Sequence, residues 1–331
     1  MTNTVCDDKQ NHLLDFLKGI ACIGVVFIHF HFPEPFGNLI SKICQFAVPL
    51  FFMIAGFYAY NRNSSTIKRR LIKIAKILLY SLLLYTVYWF ISHCITHTLT
   101  SWLTQELRLK SLVKLVVFCT VDYAIPLWYL IAMLQTYILW YFVVRKKKEN
   151  VLICTLPVLF IARFICTSYV ETFCLSWCLK INFITCALNW FLLGYFINKN
   201  KEYIIKIPNY LIALSGLIGL LIALSHILFK TSIDISCVGL FLYVAAIFIT
   251  GIKYSNMKIS NILVYIGEKL SLYIYISHSL IGCLIIFLAK ILLKVDIHST
   301  WLTPIIVAIS TIVFSYFTYK INTIYVQSHK K

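Results

Sequence analysis

Ten apolar runs, each about twenty residues long, take up most of this chain, and no other feature constrains its fold so tightly. They cover 14–32, 43–60, 74–97, 127–144, 151–170, 181–197, 207–229, 235–252, 271–293 and 301–319. An α-helix rises about 1.5 Å per residue, so about twenty apolar residues cross the hydrocarbon of a bilayer. In that solvent every backbone N–H and C=O must find a partner within the segment, which a helix provides and an open strand does not. The sequence therefore predicts an all-α integral membrane protein of about ten transmembrane helices. Composition agrees. Of 331 residues, 60% are hydrophobic and 13% charged, against about 45–50% and about 25% in soluble domains.

The formal net charge of +18 does not signal nucleic-acid binding. Its lysines and arginines fall in the gaps between apolar runs and form no face interleaved with stacking aromatics. With both termini cytoplasmic, inner segments hold about 21 basic residues and outer ones about 8, the asymmetry that the positive-inside rule expects of ten spans in this orientation. A polar cytoplasmic tail (1–12), a membrane domain (13–320) and a basic cytoplasmic tail (321–331) complete the expected organisation. The strongest basic stretch, 61–76, carries Arg62, Lys68, Arg69, Arg70 and Lys73 and is expected as a loop. Residues 111–120 are too short to span and are expected to be re-entrant or interfacial. The twelve cysteines are scattered singly, without metal-ligand spacing. Cys174 and Cys178, in an expected outer loop, either pair or share a helix face.

Ionisable residues inside the apolar runs are costly and so mark function by default. Lys18 and His29 share the first run, eleven residues or roughly 16 Å apart along a helix. Lysine would sit near an interface and histidine deep in the membrane. Histidine is the commonest general base. His31, two residues on, faces another side of the helix and would line the outer leaflet. Arg163 lies far from any interface and needs a partner, either a carboxylate such as Asp122 or Glu34 or backbone carbonyls. His278 is expected to make a hydrogen bond between helices. Glu34 and Asp122 fall on the outer side, and Trp128 begins a run as membrane-belt tryptophans do.

Several of these residues stand in blocks whose order and spacing resemble the acyltransferase-3 family of integral membrane O-acyltransferases. Asp15, Lys18 and Gly19-Ile20-Ala21 lead to His29, a basic residue, ten intervening residues and then a histidine. The other blocks are Val48-Pro49-Leu50-Phe51-Phe52 with Gly56, Lys68-Arg69-Arg70, Pro126-Leu127-Trp128-Tyr129-Leu130 and the stretch from Gly267 to Ile281 that contains His278. The family's usual arginine is Lys18 here, which keeps the charge but not the bidentate grip on phosphate. The resemblance implies transfer of an acetyl group from cytoplasmic acetyl-coenzyme A to a hydroxyl of a cell-surface glycan or its lipid-linked precursor. It implies His29 as the catalytic residue. Lys18, Arg69, Arg70, Arg163 and Trp128 would bind the donor, and Glu34, Asp122 and His31 would lie on the acceptor side. No bound cofactor or metal is expected, since acetyl-coenzyme A is a co-substrate, and the expected partners are donor, acceptor and membrane lipids.

The alternative from another class is a multi-pass exporter of a lipid-linked or small polar substrate. It would be expected to show paired broken helices and inner carboxylates for ion coupling, which the sequence lacks. The sequence also has no GxSxG elbow, phosphate-binding glycine loop or His-Glu-x-x-His motif. Any acyl-transfer chemistry must therefore use the intramembrane residues above.

Overall fold

The computed structural model describes residues 11–169, 179–229, 234–295, 297 and 300–328. These residues contain helices and no strand. In chain order the helices are α1 His12–His29, α2 Phe36–Cys44, α3 Ala47–Phe57, α4 Ser64–Ile95, α5 Leu99–Glu106 and α6 Leu109–Phe118. A 3₁₀ segment, Asp122–Leu127, leads into α7 Trp128–Arg145, followed by α8 Glu149–Cys154 and α9 Leu156–Tyr169. A π-helical turn, Phe183–Leu188, opens α10 Asn189–Lys199, with α11 Lys201–Ile204, α12 Asn209–Phe229 and α13 Ser236–Lys253 beyond it. The last hairpin is α14 Ile262–Tyr265, a π-turn Ile266–Leu270, α15 Ser271–Leu288, a second π-turn Ala289–Leu293, and α16 Leu302–Ser328.

Among the described residues, nine helical stretches are long and apolar enough to cross a membrane. The protein is an all-α multi-pass membrane protein. The expected sixth run forms the six-residue π-turn and the eleven residues of α10, just at the lower limit for a span. It is also the most enclosed of the helices: Trp190, Phe191 and Leu192 are fully buried. Its exposed large apolar side chains are Ile184 and Phe196.

Three boundaries differ from expectation, each for a local reason. The second run divides at Gln45–Phe46 into α2 and α3, just before Pro49, which lacks the N–H needed to continue a helical ladder. The stretch 61–76 is not a loop beyond Asn63. The Asn63 side chain accepts from the Thr66 N–H, capping a 32-residue helix whose first turns carry Lys68, Arg69, Arg70 and Lys73. The final helix runs on to Ser328, nine residues past the apolar run. Residues 109–118 do form a separate short helix, closed by Cys119 in the left-handed conformation (φ 57°).

The core joins α3, α7 and α10. A Cβ on Gly56 would lie 1.8 Å from the Phe191 carbonyl oxygen, and one on Gly194 2.0 Å from that of Met53. The two backbones touch at both positions, so either side chain would force α3 and α10 apart. The start of α1 is tied to the end of α13, where the Asn11 side chain donates to the Gly251 carbonyl at 3.0 Å.

Candidate active site

His29 is the last residue of α1 and is partly exposed; His278 lies in the middle of α15 and is fully buried. Their rings meet at 5.1 Å between centroids, inclined by 44°. The end of α1 is held there by Phe30, whose ring packs over Gly282, one turn beyond His278. Phe30 is itself enclosed with Val26, Val307 and Ala308.

The tautomer of His278 follows from its contacts. Nδ1 lies 3.1 Å from the Ile274 carbonyl and 2.8 Å from that of Tyr275. Two carbonyl oxygens can only accept, so Nδ1 carries the proton. In the neutral ring Nε2 is then a bare lone pair, and it is buried without a hydrogen-bond partner. These hydrogen bonds are to its own helix. The expected helix-to-helix bond is replaced by the ring contact with His29. The result is a half-open imidazole backed by a buried one whose free nitrogen is an acceptor.

A column of aromatic side chains continues from the pair. The Tyr275 ring lies 6.2 Å from His278 and 5.1 Å from Tyr129, and its hydroxyl donates to the Pro126 carbonyl. Tyr129 packs on Phe51 and Phe52 of α3, with ring centroids 6.2 and 4.6 Å away. Two turns along α7, or roughly 12 Å, the buried Tyr137 side chain lies beside the Arg70 guanidinium. Arg70 Nη1 donates to the Tyr58 carbonyl at 2.9 Å, fixing the arginine over the end of α3. Lys18 lies on α1 one turn from the buried Cys22, which packs with Phe51, and it makes a 2.6 Å ion pair with Asp15.

Arg69 and Arg70 part company. Arg69 is exposed and donates to the Thr66 hydroxyl on its own helix at 3.4 Å, whereas Arg70 turns into the protein. Adjacent residues point about 100° apart on an α-helix, so capping α4 at Asn63 separates them. Trp128 is only 8% exposed and packs on Phe52 at 6.1 Å, in the core and not in an interfacial belt.

Arg163 takes the backbone option. Its Nη1 donates to the Thr185 and Lys180 carbonyls at 2.9 and 3.4 Å, and its guanidinium lies 5.8 Å over the Trp190 ring. These partners lie in the π-turn that opens α10 and on either side of it. Asp122 is not drawn to His29 but pairs with Lys114 at 2.6 Å. Glu34 and His31 are exposed just beyond α1. Cys174 and Cys178 lie outside the described residues. The sequence reading did not single out Tyr129, Tyr137 or Tyr275. A tyrosine in an apolar run reads the same whether it faces lipid or a site; Tyr129 and Tyr275 stood inside the quoted blocks, and Tyr137 in none.

The structure brings His29 and His278 into ring contact and turns Arg70 into the protein over the end of α3. The acyltransferase-domain family model, Acyl_transf_3, matches residues 11–320. The chain belongs to the acyltransferase-3 family. No curated protein and no solved structure matches it.

Proposed function

We propose that the protein transfers an acetyl group from cytoplasmic acetyl-coenzyme A to a hydroxyl of a cell-surface glycan or its lipid-linked precursor, in the bacterial cytoplasmic membrane. The observation that carries this reading is the contact of His29 with the buried His278, from which Tyr275 and Tyr129 continue to Phe51 and Phe52 of α3. Arg70 and Lys18 bind the donor's phosphates on the cytoplasmic side, the arginine through its planar fork and the lysine as a point charge. The donor's pantetheine arm lies along the tyrosines. His29 removes the proton of the attacking hydroxyl as the new ester bond forms, and coenzyme A leaves as the thiol. His278 offers its free Nε2 to hold His29 in the productive orientation.

The test follows label from radioactive acetyl-coenzyme A into the surface-glycan fraction of membranes that contain wild-type protein or a His29→Ala variant at matched expression. Label that appears with wild type and disappears with the variant supports the reading. Equal labelling refutes a catalytic His29. Label from succinyl-coenzyme A but not from acetyl-coenzyme A corrects the acyl group.

A further inference from the structure

A concavity lined mainly by apolar side chains, with a few polar groups among them, lies at the α5–α6 corner. A cavity of about 280 Å³ is bounded by α4, α5, α6 and the start of the 3₁₀ segment, and Thr86, Trp102, Glu106, Lys114, Asp122 and Tyr123 give it its chemistry. At about 30 Å³ per water in the liquid it has the volume of about nine waters, room for one sugar ring but not for a chain. Trp102 forms one wall. Its ring is stacked on His93 at 5.2 Å and meets Tyr123 edge-on at 5.8 Å. Although Trp102 is only 9% exposed, its Nε1–H is buried and without a partner. An unmet donor of this kind costs about 1–3 kcal/mol, so a ligand acceptor placed there would recover that loss.

The charges choose among ligands. Lys114 is bound to Asp122 at 2.6 Å, and Glu106 adds a second carboxylate, so the lining is net negative. Uronates, sialates and phosphates are disfavoured there, whereas neutral hydroxyls can donate to both carboxylates. Thr86 and Tyr123, held together by a 3.1 Å hydrogen bond, supply further hydroxyls. The position also fits. The 3₁₀ segment that begins at Asp122 ends at the Pro126–Leu127 turn, where the Pro126 carbonyl accepts from Tyr275 beside His278. Four residues of chain span no more than roughly 14 Å.

We propose that this cavity is an acceptor subsite that binds one uncharged pyranose ring of the glycan and so presents a neighbouring unit to the histidine pair. This rests on the acceptor's being a glycan, as proposed above. Trp102 Nε1–H donates to a sugar oxygen, Glu106 and Asp122 accept from sugar hydroxyls, and an aromatic wall of Trp102 and Tyr123 packs against the ring's C–H face.

The test is saturation-transfer NMR on the full chain in phospholipid nanodiscs, with methyl glucoside, methyl galactoside and N-acetylglucosamine as neutral probes and glucuronate as the anionic control. At least one neutral probe is expected to bind and glucuronate is not. Trp102→Phe, which keeps the ring and removes the N–H, and Glu106→Gln should each weaken binding about tenfold. Because Glu106 is only half buried, its variant decides the matter should Trp102→Phe fail to fold. The proposal is overturned if no neutral probe binds, if Glu106→Gln binds as wild type does, or if glucuronate competes equally. Binding is read without acyl transfer. Sugar binding in a protein that moves no acyl group would remove the proposed reaction but not the subsite, and transfer without binding would do the reverse.

Discussion

Gly282→Ala tests how the histidine pair is held. A Cβ at position 282 would lie 1.9 Å from Phe30 Cζ and 2.3 and 2.5 Å from its Cε atoms. Ordinary contact begins at 3.4 Å, so the helices must part by the difference between 3.4 and 1.9 Å, about 1.5 Å. Phe30 cannot swing aside, because Val26, Val307 and Ala308 enclose it. The displacement therefore passes to the end of α1 and to its neighbour His29, widening a ring separation that is now 5.1 Å. A misplacement of about 1 Å at a reacting group costs on the order of 100-fold in rate, equivalent to about 2.7 kcal/mol of transition-state stabilisation. Overpacking itself should lower stability by about 1–3 kcal/mol. The assay compares initial rates of acyl transfer in membranes at matched expression, alongside thermal unfolding of purified protein. Phe30→Leu in the Gly282→Ala background should restore at least about tenfold of the rate, since contacting sites couple. Wild-type turnover in Gly282→Ala, or a loss that Phe30→Leu leaves untouched, would refute the positioning argument.

Other outcomes follow from the same contacts. Arg70→Ala should raise the donor KM at least about tenfold through loss of a charge-assisted grip, while the outward Arg69→Ala should change it little; equal effects would mean that the split between them has no bearing on donor binding. His278→Gln should lower kcat on the order of 100-fold with the donor KM unchanged, and an unchanged kcat would leave His278 a packing residue. Arg163→Ala should cost about 1–3 kcal/mol of stability by stranding buried carbonyls without altering the donor KM, and a raised KM would assign Arg163 to the donor after all. Burial and the neighbouring Asp122 carboxylate hold the Glu106 carboxyl above its ordinary value of 4.5, against a smaller opposing pull from Lys114. Folding therefore takes up a proton at Glu106, and its stabilising contribution is present below 4.5 and lost as pH rises through the folded-state value. Thermal unfolding of Glu106→Gln should show a flatter pH dependence across that window; an identical profile would refute it.

The sequence alone determined the class of protein and the approximate number of membrane-spanning helices. Bilayer solvent makes each span satisfy its own backbone, so each one is legible as a local run of about twenty apolar residues. The run at 181–197 was legible by the same rule, and in the structure it is a π-turn followed by α10, at the lower limit of span length. Asn63 and Thr66 already contained the cap that turns the expected basic loop into the start of α4, and once that helix is drawn Arg69 and Arg70 must diverge. Only the tertiary structure decided which residues meet. His29 finds His278, Arg70 finds Tyr137, and Asp122 finds Lys114 instead of the histidine. Hydrophobicity records that a helix is in the membrane, but every face of such a helix is apolar. The rotation that turns a tyrosine toward a site or toward lipid is set by close contacts such as Phe30 over Gly282, made between segments far apart in the chain.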